Sequence, residues 1–314
     1  MIEIQNVSKR YGDKYAVKDA SFTIKKGEIL GFLGRNGAGK TTTMNIVTGY
    51  ISATAGRVLL DGHDILEEPR LVKRHIGYLP EHPPVYLDMT VDEYLRFVCA
   101  IKEVKPAHIK NHIGDICELV RITDVRKRLI KNLSKGYRQR VGLGQALVGN
   151  PEMLILDEPT VGLDPRQIIE IRRLIKDLSA EHTVVLSSHI LHEVADVCER
   201  VVIINNGLIV AQDTLENLTK VISDASRIRL RVKGPEREVA KAIREISGIR
   251  SIESLGSKEA GSADFQIESD REIDVRVPLF NILSKLQFPI LIMRPLDIEL
   301  EDIFLQLTTE KGEE

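Results

Sequence analysis

The residues with the clearest chemical meaning lie between Gly34 and Thr41, where the sequence is GRNGAGKT and matches the pattern G-x-x-x-x-G-K-[ST]. The apolar segment Glu28–Leu33 precedes this pattern, and the helical segment Thr42–Val47 follows it. A loop of this type binds phosphate groups when it joins a strand to a helix. An ordinary glycine-rich turn would explain the glycines but not such regular flanks. The sequence therefore predicts a binding site for a nucleoside triphosphate.

Each residue type in this loop has a chemical reason. Glycines let the backbone wrap around phosphate oxygens, so that N–H groups and the positive end of the following helix face the anion. Lys40 is expected to reach the β and γ phosphates, and the Thr41 hydroxyl is expected to hold Mg²⁺. The residues predicted to contact the nucleotide from this loop are Gly34, Arg35, Asn36, Gly37, Ala38, Gly39, Lys40, Thr41 and Thr42.

Two carboxylates end the string MLILDE at Met153–Glu158. A buried strand would carry Asp157 at its C-terminal tip, where a carboxylate can bind Mg²⁺. Glu158 would then orient and deprotonate a water molecule that attacks the γ phosphate. A strand followed by an acidic turn is the simpler alternative, but Pro159 and the downstream string VGLD disfavour it.

Three further residues extend the predicted site. His189 follows the strand-like string TVVLSS, and strand tips of α/β sheets lie at ligand crevices, so we expect it to contact the γ phosphate. The Tyr11 ring could stack on adenine, although a single tyrosine is more often part of a core. Ser134, in LSKGY, would cap the helix that starts at Lys135, and the N–H groups behind it form an anion site. That helix start is either an ordinary cap or a phosphate site that serves a second copy of the protein.

Composition limits the possible functions. A chain of 314 residues suits two domains. A net charge of −2, 4% aromatic residues and no tryptophan argue against nucleic acid as a partner. Three widely spaced cysteines favour buried free thiols in a reducing compartment. The N-terminal residues alternate like a strand rather than a signal peptide, and no apolar run is long enough to span a membrane, so any membrane role requires a partner.

The order of segments predicts an α/β architecture with a mainly parallel sheet and covering helices. We predict strands at Ile2–Val7, Ala20–Ile24, Glu28–Leu33, Arg57–Leu60, Met153–Leu156, Thr183–Ser187 and Val201–Ile204. A helical subdomain covers about 82–150, with helices at Val91–Ile101, Ala107–Val120 and Lys135–Val148. Further helices are expected at Arg166–Leu178 and Ile190–Cys198.

A different pattern begins after about residue 220. Residues 227–296 are predicted to form strand, helix, strand, strand, helix and strand, which is the order of a small ferredoxin-like α+β domain. A last helix at Glu299–Leu307 would place Ile303, Phe304 and Leu307 on one side. The predicted domains are therefore 1–220 and 227–314.

Together, these residues resemble the ATP-binding subunit of an ATP-binding-cassette (ABC) transporter, a P-loop NTPase. The resemblance covers about 1–220 and rests on the order of the phosphate loop, the Glu81 segment, LSKGY, MLILDE, VGLD and His189. The strings LSKGYRQR, GYLPE and LEDIF look like a subgroup that serves export-type permeases. That subgroup includes ATPases of antibiotic-resistance, gliding-motility and copper-site-maturation export systems.

The resemblance implies a head-to-tail dimer, formed with an identical or a paralogous chain, that sandwiches two ATP molecules. Ser134 and Gly136 of one subunit would contact the phosphates bound to the other, and Asp164 would lie at the dimer seam. ATP binding would close the dimer, and hydrolysis with Glu158 as base would reopen it. The chain would act from the cytoplasmic side on a separate integral membrane permease. A regulatory or non-transport ABC ATPase on a membrane signalling complex is the alternative.

The chain departs from the family pattern at a few positions. Lys135 and Tyr137 stand where glycine and glutamine are usual, which leaves Ser134 and Gly136 as the expected signature contacts. Glu81 replaces the glutamine that normally binds Mg²⁺ and senses the membrane subunit. A glutamate there can still bind Mg²⁺, but its charge would alter coupling.

Overall fold

The computed structural model describes residues 1–222, 225–257, 259–270 and 273–296. The described chain divides into two units between Leu215 and Glu216. Each unit contains a hydrophobic core of its own. The predicted helix Glu299–Leu307, with its LEDIF string, lies outside the described residues.

The first unit begins with a long antiparallel hairpin and the strand that leads into the phosphate loop. The elements are β1 (Ile2–Tyr11), β2 (Lys14–Ile24), β3 (Ile29–Leu33), α1 (Lys40–Val47), β4 (Ala55–Leu60), β5 (His63–Asp64), α2 (Pro69–Arg74) and β6 (Ile76–Leu79). Strands β1, β2, β4 and β5 form one antiparallel sheet in the order β2-β1-β4-β5. Gly12 has a positive φ of 59° in the turn that joins β1 to β2.

A helical segment follows, in which local sequence signals fix the helix starts. Its helices are α3 (Val91–Ile101), α4 (Pro106–Leu119) and α5 (Lys135–Leu147), with 3₁₀ turns at Thr123–Val125 and Ile130–Asn132. Thr90 and Glu93 form a capping box at the start of α3, and Pro106 occupies the first turn of α4. Ser134 caps α5, as predicted.

The central sheet of the first unit is parallel except at one edge. The remaining elements of this unit are β7 (Met153–Asp157), α6 (Pro165–Leu178), β8 (Thr183–Ser188), α7 (Leu191–Ala195), β9 (Arg200–Asn205) and β10 (Leu208–Thr214). The strand order is β10-β9-β3-β8-β7-β6, and only β10 is antiparallel to its neighbour in the described sheet. Strands β3, β7 and β8 are buried along their whole length, as is typical of the central strands of a parallel sheet.

The second unit has the predicted ferredoxin-like order. After α8 (Leu215–Ile222), which contains the division, come β11 (Ala225–Lys233), α9 (Glu236–Arg244), β12 (Ile249–Ser254), β13 (Ser262–Asp270), α10 (Arg276–Lys285) and β14 (Ile290–Leu296). The strands form an antiparallel sheet in the order β12-β13-β11-β14. Val239 and Ile243 of α9 and Leu279 of α10 are fully buried together with Leu230 and Phe265 of the sheet.

Some predicted boundaries were wrong. The helix predicted at Ile190–Cys198 ends at Ala195, because the Glu199 N–H donates to the Ile29 carbonyl and draws the chain into β9. Helix α2 was missed, since six residues are too few to show a clear helical period. The three cysteines are buried and free, as predicted. No helix among the described residues is long and apolar enough to cross a membrane.

The central strand β3 gives a direct test of the core. Phe32 is fully buried, and its ring centroid lies 5.5 Å from that of Phe22. We expect Phe32→Ala to lower the free energy of unfolding by about 3–5 kcal/mol, because it removes a core ring and leaves a cavity. Ile169→Ala, at a position 60% exposed, should change it by less than about 0.5 kcal/mol. Urea unfolding followed by circular dichroism measures both, and equal shifts would contradict the assigned core.

Candidate active site

The phosphate loop has the backbone shape that its glycines predict. It joins β3 to α1, and the Ala38 N–H donates to the Arg35 carbonyl at 3.0 Å within it. Gly37 and Gly39 have φ values of +79° and +110°, which residues with a side chain rarely adopt. A Cβ at Gly39 would also lie 2.4 Å from the Ala16 carbonyl oxygen. Glycine at position 39 is therefore required by both conformation and space.

Lys40 opens α1 and is almost completely buried. Its Nζ donates to the Gly34 carbonyl at 2.8 Å and the Arg35 carbonyl at 3.4 Å. The same Nζ lies 3.1 Å from Glu158 Oε1, and both side chains are less than 10% exposed. A buried charge of this kind is stable only when it has a partner. The ion pair fixes the ammonium group above the phosphate loop.

Glu158 follows β7 in a left-handed backbone conformation, with a φ of +49°. Such a conformation costs about 1–3 kcal/mol outside glycine and is held by its surroundings. Ser187 of β8 provides that support, because the Glu158 N–H donates to its carbonyl at 3.2 Å and to its Oγ at 3.1 Å. The Glu158 carboxylate then meets His189, whose Nδ1 lies 2.9 Å from Oε2. Both carboxylate oxygens are thus held in place.

Asp157 ends β7 and has no solvent exposure. Its side chain accepts a hydrogen bond from Ser187 Oγ. Burial raises the pKa of Asp157, and the Ser187 hydrogen bond and the nearby Thr41 hydroxyl oppose the shift. Within the described part of the chain, its Oδ2 is buried without a hydrogen-bond partner. A buried carboxylate oxygen with a free lone pair, next to a threonine hydroxyl, fits the oxygen ligands that Mg²⁺ prefers.

A cavity of about 350 Å³ brings together residues from distant parts of the sequence. It brings together residues of the loop, Glu81, the glutamate after β7 and the histidine after β8. Its lining residues are Ala16, Asn36, Gly37, Gly39, Lys40, Thr41, Thr42, Glu81, Glu158, Val161 and His189. A site with backbone N–H groups, a lysine and a carboxylate–histidine pair can bind a polyphosphate and activate water beside it.

Seven predicted residues are not among those that line this cavity: Tyr11, Gly34, Arg35, Ala38, Ser134, Gly136 and Asp157. Tyr11 is 54% exposed at the end of β1, and the Lys9 ammonium lies 5.4 Å from its ring centroid. The Ser134 hydroxyl accepts a hydrogen bond from the Tyr137 N–H at 3.4 Å and so caps its own helix. A Cβ at Gly136 would lie 2.6 Å from Gln167 Oε1 of α6. Their contacts with nucleotide remain predictions.

The departures from the family pattern have local structural roles. The Lys135 side chain crosses to the VGLD turn, where a Cβ at Gly162 would lie 2.0 Å from Lys135 Nζ. The Tyr137 hydroxyl donates to Asp124 Oδ2 at 3.0 Å, and this hydrogen bond raises the pKa of Tyr137. Both contacts connect the start of α5 to neighbouring turns.

Two residues behind the site were not predicted from the sequence. Ser187 bonds both Asp157 and Glu158, but a serine inside an apolar strand gives no signal of such a role. Glu193 of α7 is buried and accepts hydrogen bonds from residues beside Glu158 and His189. An acidic residue on a short helix normally indicates a solvent-facing position, so its burial could not be predicted.

Comparison with known proteins identifies the family of the chain. Residues 17–161 match the family described as "ABC transporter". The linearmycin resistance ATP-binding protein LnrL of Bacillus subtilis is 34% identical over 253 residues, which are 80% of this chain and 81% of that protein. The chain belongs to the ATP-binding subunits of ABC transporters. The predicted family and fold class are therefore confirmed.

Other ABC proteins are also similar to this chain in sequence and in fold. The bacitracin transport ATP-binding protein BcrA of Bacillus licheniformis is 38% identical over 222 residues, 70% of this cassette chain and 72% of that protein. The dimeric structure of the ABC transporter cassette MJ0796 superimposes with a TM-score of 0.63 at 25% identity, covering 68% of this chain and 98% of that one. The cassette thus belongs to an ATPase family whose members bind ATP.

Lys40 provides a test of the phosphate loop. We expect Lys40→Ala to abolish the increase in thermal stability that ATP gives the wild type, because the loop loses its only ammonium group. A ligand at 100 times its Kd stabilises a protein by about 2.7 kcal/mol. Lys14→Ala, an exposed position on β2, should keep the full effect. Each variant is compared with and without ATP, and wild-type ATP affinity in Lys40→Ala would refute the assignment.

Proposed function

We propose that this chain is the Mg²⁺-dependent ATPase subunit of an export-type ABC transporter, acting on a separate membrane permease by ATP-driven closure of a dimer. The main support for the proposal is that Glu158 contacts both Lys40 and His189 in the cavity beside the phosphate loop. The names of LnrL and BcrA, a resistance protein and an antibiotic transport protein, support the export class.

The site residues divide the reaction between them. Backbone N–H groups of the loop and Lys40 bind the β and γ phosphates. Glu158 Oε2 orients the attacking water and accepts its proton, while His189 holds the carboxylate and contacts the γ phosphate. Thr41, Asp157 and Glu81 would hold Mg²⁺, which neutralises charge on the phosphates when bound.

A second subunit completes the proposed site. Ser134 and Gly136 at the start of α5 would contact the phosphates held by the partner's loop, in a homodimer or a heterodimer with a paralogous chain. The existence of a dimeric structure for the related MJ0796 cassette supports this arrangement. Tyr11 is proposed to stack on adenine, since its ring is 54% exposed at the end of β1.

A second cavity, of about 600 Å³, supports a permease partner. It shares Thr41 and Glu81 with the nucleotide cavity, and Tyr50, Tyr78 and His82 also line it. The Tyr50 side chain is 76% exposed. An exposed aromatic ring beside a cavity is typical of a surface that binds a partner. We propose that a cytoplasmic segment of the permease binds there, which would place the chain on the inner face of the cell membrane. Glu81 then contacts both the nucleotide site and the permease.

Glu158→Gln tests the catalytic assignment. We expect ATP turnover to fall by about 10²–10⁴-fold, the usual contribution of a general base, with ATP affinity unchanged because the amide keeps the shape of the side chain. A phosphate-release assay and a nucleotide-binding assay measure the two quantities. Glu181→Gln, an exposed position, is the matched control and should retain full turnover. Near-normal turnover in Glu158→Gln would disprove the role of Glu158.

The permease is tested by co-purification. A tagged Glu158→Gln chain is trapped with ATP in detergent-solubilised native membranes, and the recovered proteins are identified by mass spectrometry. We expect a polytopic membrane protein at nearly one-to-one ratio, and less of it with Tyr50→Ala added. Recovery of only ribosomal or DNA-associated proteins would contradict the transport function. Stimulation of ATPase activity by cargo in the reconstituted complex would separate transport from a signalling role.

A further inference from the structure

A second buried carboxylate lies behind the Glu158–His189 pair. Glu193 of α7 is only 4% exposed. Its Oε2 accepts a hydrogen bond from Thr160 Oγ1 at 2.6 Å and another from Ser188 Oγ at 3.2 Å. Thr160 stands two residues after Glu158, and Ser188 immediately precedes His189. One carboxylate oxygen therefore connects the two chain segments that carry the proposed catalytic groups.

The two hydroxyl donors are themselves parts of the turns that shape the site. Ser188 Oγ also accepts a hydrogen bond from the Ile190 N–H at 3.0 Å, which fixes the turn containing His189. The Thr160 carbonyl accepts from the Leu163 N–H at 3.2 Å, in the turn that follows Glu158. Movement of either turn would change the 2.9 Å contact between His189 Nδ1 and Glu158 Oε2.

Apolar packing also holds α7 against the central sheet. Val194, next to Glu193, packs against Gly31 of β3 so closely that a Cβ there would lie 2.1 Å from Val194 Cγ1. Leu191 and Val194 are also buried against the sheet. Since apolar packing holds the helix, its attachment does not rest on the carboxylate alone. Burial of a carboxylate costs free energy unless other interactions compensate for it. We therefore attribute the role of Glu193 to the two turns that its hydrogen bonds join.

Charge compensation for Glu193 comes from α6. Arg172 Nη2 lies 3.8 Å from Glu193 Oε1, and Arg172 Nη1 donates to the exposed Asp196. Helix α6 begins after its N-cap Asp164, the residue expected at the dimer seam. The Glu193 carboxylate thus contacts three segments: the turn after Glu158, the turn at His189 and the helix that starts at the seam.

We propose that Glu193 is a positioning residue for ATP hydrolysis, which holds the Glu158 turn and the His189 turn at the spacing required for their contact. This inference rests on the proposed function, in which Glu158 is the general base. Glu193 does not line the nucleotide cavity, so it acts on the reaction only through Thr160 and Ser188. Its loss should therefore affect the chemical step and leave nucleotide binding intact.

The experiment compares three variants of the full chain, with phosphate release for kcat and a fluorescent ATP analogue for affinity. Glu193→Ala is expected to lower kcat by about 10–100-fold, because small misplacements of reacting groups have effects of this size. Its Kd for the analogue should stay within about twofold of the wild-type value, since binding residues are untouched. Glu193→Gln should recover most of the activity, because its amide oxygen can accept both hydroxyl donors.

Asp196→Asn is the matched control, since it changes the exposed partner of Arg172 and leaves the Thr160 and Ser188 hydrogen bonds in place. It should keep wild-type kcat. Wild-type kcat in Glu193→Ala, or an equal loss of kcat and ATP affinity, would overturn the proposal. If Glu193→Ala does not fold, the double variant Thr160→Val with Ser188→Ala decides: a fall in kcat alone supports the proposal, and an unchanged kcat refutes it.

The outcome is separable from failure of the proposed function. If wild type hydrolyses ATP and Glu158→Gln does not, normal turnover in Glu193→Ala refutes only the positioning role. If Glu158→Gln retains turnover, the proposed function itself is wrong, and the positioning role fails with it.

Discussion

The site depends on one buried ion pair, between Lys40 Nζ and Glu158 Oε1 at 3.1 Å. Removing one member of such a pair leaves an uncompensated buried charge, which typically costs about 3–5 kcal/mol. The two residues come from the loop after β3 and the turn after β7, so the pair ties the phosphate-binding element to the carboxylate element. Lys40 is also held by the Gly34 carbonyl, and Glu158 by His189. Each charge is thereby fixed in one position.

The parallel sheet makes that pair possible. Strands β3, β8 and β7 are adjacent and parallel, so their C-terminal ends lie at one edge. Ser187 then joins the strands at this edge, because its Oγ donates to Asp157 and accepts from the Glu158 N–H. Through these bonds the left-handed conformation of Glu158 is stable, and its carboxylate turns back toward the loop. A change in strand register would separate all of these groups.

The meeting of parallel strand ends at one edge of the sheet explains which site residues could be predicted from sequence. The loop, the MLILDE strand tip and His189 were identifiable, because each is a local pattern and parallel topology brings strand tips together. The roles of Ser187 and Glu193 could not be predicted, since they arise from contacts between segments about 30 residues apart with no local signature. The approach of the Lys135 side chain to Gly162 likewise depends on tertiary packing, so it could not be predicted from the sequence.

The charges in the site impose a further requirement. Asp157, Glu158 and Glu81 bring three carboxyl groups to the region, against one ammonium group from Lys40. A triphosphate bound in the cavity would add several negative charges near them, and like charges at short distances repel strongly in a partly buried site. In the proposed function, a divalent cation held by Asp157 would reduce this repulsion. Glutamate at position 81, where the family usually has glutamine, would increase the need for that cation. In the proposed function, it also makes the permease-facing cavity sensitive to whether that cation is bound.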